Sequence, residues 1–297
     1  MGFDLSKLLV VGISSRALFD LSREDELFQR EGLAAYEQHQ LDNENVPLAP
    51  GVGFPLVKAL LALNTRAKDT RLTEVVVMSR NSAETSLRIF NSIRHHNLDV
   101  TRAALTGGAP LAPYLEAFNI SLFLSADHAD VEAAINSGFA AATVYPAPSD
   151  PNTSEDQIRI AFDGDAVLFS HDSEEIFQNE GLTAFANHER EHAKNPLKEG
   201  PFAPFLRLIS NLQSQFPGES NPIRTALVTA RSGPSHERVI RTLASWNVNV
   251  DEAFFLGGAG KAPVLKAFRP HMFFDDQLAH CTSAAPVVAT SRVPWKK

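Results

Sequence analysis

The chain is written twice. Residues 79–127 set over residues 229–277, a gapless offset of 150, agree at 14 of 49 positions; unrelated segments of this composition would agree at about three. Agreement is densest where Gly107-Gly108-Ala109 and Ala112-Pro113 answer Gly257-Gly258-Ala259 and Ala262-Pro263. Upstream, Phe28-Gln29-Arg30-Glu31-Gly32-Leu33 answers Phe177-Gln178-Asn179-Glu180-Gly181-Leu182 at an offset of 149, so a single-residue gap separates the two registers. A period that long is a duplicated domain, not a solenoid of short repeats. The proline-rich stretch from Pro146 to Asp156 reads as the linker, which divides the chain into 1–149 and 150–297.

Within each half, short apolar runs alternate with helical stretches. Leu8–Ile13 and Ile158–Phe162 open the two halves as strands, followed in the second half by a helix over Glu174–His192. Strands follow at Val75–Met78, Ala103–Leu105 and Leu122–Leu124, and again at Thr225–Val228, Ala253–Leu256 and Met272–Phe274. Nearly continuous apolar strands separated by helices predict an α/β fold with parallel sheets covered on both faces. In such sheets ligands bind at the carboxyl ends of the strands.

The net charge of −8 argues against a nucleic-acid polymer as partner. No segment approaches the length of a membrane span. A single cysteine, Cys281, leaves no disulfide framework and suits a reducing cytoplasm. A homo-oligomer is compatible with all of this.

In the second half the strand ends carry chemistry. The first ends Phe162-Asp163-Gly164-Asp165 and the second Thr229-Ala230-Arg231; a glycine-rich turn with Lys261 follows the third, and the fourth ends Phe274-Asp275-Asp276. Together and in this order they resemble the four motifs of the haloacid dehalogenase-like (HAD) phosphohydrolases. Ile160–Ser170, Thr229-Ala230-Arg231, Phe273–Gln277 and Ser14–Phe19 are similar, more narrowly, to the cytosolic 5′-nucleotidase I family. The resemblance runs from about Val10 to Gln277.

It implies two HAD-like Rossmannoid domains, with a small helical cap at about 170–200 inserted after the first motif of the second. It also implies magnesium-dependent hydrolysis of nucleoside 5′-monophosphates such as AMP. Asp163 would attack phosphorus and form an aspartyl-phosphate. Asp165 would protonate the leaving 5′-oxygen and then deprotonate water. Thr229 and main-chain N–H groups near Ala230 would hold the phosphoryl oxygens, and Lys261 would neutralise developing charge. Asp163, Asp165 and either Asp275 or Asp276 would complete the oxygen shell of Mg²⁺. Gly164 fits a place where the backbone bends and packs closely.

Offset 150 sets Ile13 against Asp163, Ser15 against Asp165, Leu111 against Lys261, and Ser125-Ala126 against Asp275-Asp276. The first half therefore reads as a degenerate copy without carboxylates or lysine. Two other activities stay open: hydrolysis of another small phosphomonoester such as a sugar phosphate, and nucleotide binding without catalysis. A remoter one is a zinc protease, because His188-Glu189-Arg190-Glu191-His192 fits H-E-x-x-H on a helix. Its metzincin continuation is missing, and a solvated, charged helix is the competing expectation.

Overall fold

The computed structural model describes residues 4–67, 70–146, 157–218, 221–232 and 235–294. Of the linker expected from Pro146 to Asp156, all but Pro146 lies outside them. The chain forms two compact α/β units, Met1–Phe139 and Ala140–Lys297.

Unit 1 holds four parallel strands in the order β3-β2-β1-β4: β1 (Leu9–Ile13), β2 (Thr73–Ser79), β3 (Arg102–Leu105) and β4 (Leu122–Ser125). Its helices are α1 (Ser15–Leu18), α2 (Ser22–Glu31), α3 (Leu33–Asp42), α4 (Phe54–Arg66), α5 (Leu87–His95), α6 (Ala112–Leu115) and α7 (His128–Asn136). In unit 2 the strands are β5 (Ala141–Val144), β6 (Ile158–Phe162), β7 (Ile223–Thr229), β8 (Glu252–Phe255), β9 (Met272–Asp275) and β10 (Thr290–Arg292). Their order is β5-β10-β9-β6-β7-β8, parallel except for β5 against β10. The helices are α8 (Asp172–Glu191), α9 (Ala203–Ser214), α10 (His236–Ser245), α11 (Ala262–Phe268) and α12 (Leu278–Ala284). Because β5 pairs with β10, the compact units divide at 139/140, ten residues before the division expected from the linker.

Every residue of β1, β2, β4 and β9 is buried, as sheets covered on both faces require. Helix α9 opens with Pro204 in its first turn, where the missing N–H costs nothing. It buries Phe205, Leu206, Ile209 and Leu212 along one stripe. The single long helix expected after β6 is broken: Gly181, at φ 84°, interrupts α8. Gly32, at φ 83°, separates α2 from α3 at the corresponding point. A side chain is strained in that left-handed region, so glycine fits both breaks.

Strand register corrects one expectation. Ile13 pairs with Val77 and Leu124, and Phe162 pairs with Leu227 and Phe274. The partners differ by 150 but the strand ends by 149, so the one-residue gap falls after the first strand. The next main-chain bonds agree: Ser14 N–H donates to Leu124 O, and Asp163 N–H to Phe274 O, each at 2.8 Å. Ser14 rather than Ile13 therefore answers Asp163, and Arg16 rather than Ser15 answers Asp165. A slip of one residue would have turned the buried Ile13 side chain to the opposite face.

His271, just before β9, is buried and its Nδ1 accepts the Arg159 N–H at 3.2 Å. Burial lowers its pKa to about 4. The unfolded imidazole titrates near its ordinary value of about 6.5, so the unfolded chain binds more protons between the two values. The stability is complete above the unfolded pKa and lost as pH falls through the folded one, about 3 kcal/mol in all. Urea unfolding at pH 7 and pH 5 should show a loss of roughly 2 kcal/mol at the lower pH from this group. His271→Ser, which installs the residue found at position 121, should remove that share. Equal acid losses in both proteins would exclude His271 as the source.

Candidate active site

The ends of β6 and β9 are pinned by aromatic packing. The Phe162 ring stacks on Phe274 at 5.6 Å, with Phe202 and Phe205 against it at 6.4 and 6.3 Å. That fixes the carboxylates that follow, Asp163 and Asp275. Lys261, at the N-terminal end of α11, places Nζ 2.8 Å from Asp163 Oδ1 and 2.7 Å from Asp275 Oδ2. All three are buried. Burial opposes charge on Lys261, but the two carboxylates outweigh it and hold the ammonium above the usual lysine range. Burial also pushes the Asp163 carboxyl well above the carboxylate range, against the pull of Lys261. Asp275 stays below that range: burial works against this, and the His280 hydrogen bond and Lys261 prevail.

Main-chain amides complete the cradle. Gly164 N–H donates to Asp163 Oδ1 at 2.7 Å, and Gln277 N–H to Asp275 Oδ1 at 2.8 Å. A Cβ on Gly164 would stand 3.3 Å from both the Phe169 ring and Thr229 Oγ1. The close approach expected at Gly164 is thus present, and it brings the Thr229 hydroxyl beside the first motif. A positive φ occurs two residues further on, at the buried Ala166 (φ 60°), at a cost of about 1 kcal/mol. Ala230, in the middle of the second motif, is exposed, and its carbonyl accepts from Gly258 N–H at 3.1 Å.

Asp165 turns away from this pair. Both of its oxygens take the Arg231 fork, at 2.6 and 2.8 Å. Arg231 also donates to Glu189 Oε2 at 2.5 Å, and Glu189 Oε1 accepts from Arg238 at 2.8 Å and Ser173 Oγ at 3.0 Å. Glu189 is 0% exposed. Arg190 and Glu191 are exposed, as a solvated helix requires, so the expectation is corrected at Glu189 alone, and the zinc-protease base is removed: Glu189 is committed to two arginines. His188 and His192 stack on each other at 4.2 Å.

Among the described residues, Asp163, Asp275 and His280 each offer a ligand atom within 4.8 Å of the others. Two buried carboxylates fit a hard divalent cation. The imidazole fits it less well; His280 Nδ1 lies 3.2 Å from the Asp275 carboxylate, where it orients that group. The Asp165 and Asp276 carboxylates are not in this cluster. Sequence reasoning missed Arg231, Arg238 and His280 as parts of the site. Arg231 was visible beside Thr229, but its partners are 42 and 66 residues distant, and no local pattern announces them.

Two strand-end aspartates bridged by a buried lysine make a site suited to a charged ligand. The 5′-nucleotidase family model matches residues 1–297, and the chain belongs to that family. Human cytosolic 5′-nucleotidase 1B is 41% identical over 286 residues, 93% of this chain and 47% of the human protein. The chain therefore spans about half the length of this relative. No solved structure matches.

Proposed function

We propose that unit 2 is a HAD-like domain hydrolysing nucleoside 5′-monophosphates to nucleoside and phosphate, and that unit 1 is its duplicate without the chemistry. The observation that carries this is Lys261 bridging Asp163 and Asp275 at adjacent strand ends. The duplication is supported by equal strand order and by matched left-handed residues: Asn97 and Asn247, Gly107-Gly108 and Gly257-Gly258. Helix α8 would be the cap. The name of the human relative, a cytosolic 5′-nucleotidase, supports the substrate class and the cytoplasm; among the described residues no helix is long and apolar enough to cross a membrane.

Asp163 and Asp275 would hold Mg²⁺, with the Asp165 carbonyl. The cation would offset the charge repulsion between carboxylate and phosphate dianion. An Asp163 oxygen attacks phosphorus as the bond to O5′ breaks, and Asp165 gives the leaving oxygen its proton. Water then attacks the aspartyl-phosphate, Asp165 takes the water proton, and the acyl-phosphate P–O bond opens. Lys261 and the Thr229 hydroxyl hold the phosphoryl oxygens throughout. The Arg231 fork occupies both oxygens of Asp165, so proton transfer requires it to open; Arg231 keeps Glu189 when it does.

The full chain should release phosphate from AMP with magnesium, and roughly a hundredfold or more slowly after chelation. Faster release from sugar phosphates than from every nucleotide would move the substrate class. No release from any phosphomonoester would leave the binding reading in front.

A further inference from the structure

Unit 1 has a cavity of about 520 Å³ at the ends of its strands, against α2 and α3. That is the size of a small-molecule site. We infer that it binds a neutral nucleoside, without metal and without turnover.

The floor of the cavity offers hydroxyls. Ser14, Ser15, Ser79 and Ser125 line it from the ends of β1, β2 and β4. Ser14 Oγ accepts from Ala17 and Ala126 N–H at 3.2 and 3.3 Å, and Ser125 Oγ from Asp127 N–H at 3.0 Å. A hydroxyl that accepts from the main chain still has its proton to donate. One wall is aromatic: Phe28 and Tyr36 meet edge to face at 6.0 Å, and Phe28 is 41% exposed. Asn81 steadies Tyr36 by donating to its hydroxyl at 3.0 Å. Such a wall suits a flat heteroaromatic ring.

Charge selects against phosphate. Glu24, Asp25, Glu37, Asp127 and Asp130 line the cavity, against Arg16 and Arg80. Arg16 is paired with Asp25 at 2.8 Å, and Arg80 with Asp130. Arg88 neutralises Glu24 at 2.7 Å, which still leaves two carboxylates in excess. Leu111 stands where unit 2 has Lys261. A phosphate dianion would meet repulsion here, whereas ribose hydroxyls and an exocyclic amine bring protons that carboxylates accept. The positions of Asp163 and Asp275 are Ser14 and Ser125, so the aspartyl nucleophile and the carboxylate ligands proposed for unit 2 have no counterpart there. The site would stand even if unit 2 hydrolysed nothing.

Calorimetric titration of the full chain with adenosine in a chelator tests this. Phe28→Ala should weaken adenosine at least tenfold, Asp163→Asn should leave it unchanged, and Phe28→Ala should not weaken AMP, which the unit 2 site takes. Hydrogen exchange on the unaltered chain gives an independent reading: adenosine should slow residues 22–42. No binding, protection confined to 172–191, an effect of Asp163→Asn in place of Phe28→Ala, or a weakening of AMP by Phe28→Ala would each overturn the inference.

Discussion

Asp163→Asn is expected to lower phosphate release from AMP at least about a thousandfold while leaving the fold in place. An amide oxygen is a poor nucleophile toward phosphorus and a weak ligand for a hard cation. The structural consequences are smaller. The amide oxygen can still accept the Gly164 N–H that Asp163 accepts at 2.7 Å, and Lys261 keeps Asp275 at 2.7 Å. Steady-state rates together with a thermal melt separate the two effects. Loss of rate with an unchanged melt is the expected pair; loss of both would mean that Asp163 mainly supports the fold.

The second large effect concerns stability. Glu189→Ala would leave Arg231 and Arg238, both buried, without the carboxylate they share. Removing one member of a buried ionic network costs about 3–5 kcal/mol, because the remaining charges stay desolvated. Unit 1 supplies a rescue. There Gln40 occupies the position of Glu189, Glu24 that of Ser173, and Arg88 that of Arg238. The carboxylate has crossed to the neighbouring helix: Arg88 reaches Glu24 at 2.7 Å and Gln40 at 3.3 Å. Ser173→Glu combined with Glu189→Gln should therefore recover most of the stability that Glu189→Gln alone loses. Urea unfolding of the two single variants and the double reads this directly; additive losses would show that the two arrangements are not interchangeable.

That exchange marks where the sequence stops being legible. The strands β1–β4 and β6–β9 stand out because continuous apolar runs are what a covered parallel sheet requires. Thr290-Ser291-Arg292 has no such run, and it is a strand only because β9 and β5 bracket it. The strand-end aspartates and Lys261 were readable as a spaced set, and the fold brings Asp163, Lys261 and Asp275 into contact. Glu189 was misread because H-E-x-x-H and flanking charges look like a wetted surface. Its burial comes from arginines on other elements, and long-range pairing leaves no local trace. The one-residue gap misled at Ile13 for a similar reason: residue identities do not say which strand residue faces which sheet neighbour.

Covalent catalysis at Asp163 is decided by rapid acid quenching during turnover of AMP labelled with ³²P in its phosphate. Label should appear on the peptide that contains Asp163, be released by hydroxylamine as an acyl-phosphate is, and be absent from Asp163→Asn. Turnover at the ordinary rate with no label on that peptide, or undiminished hydrolysis by Asp163→Asn, would contradict it.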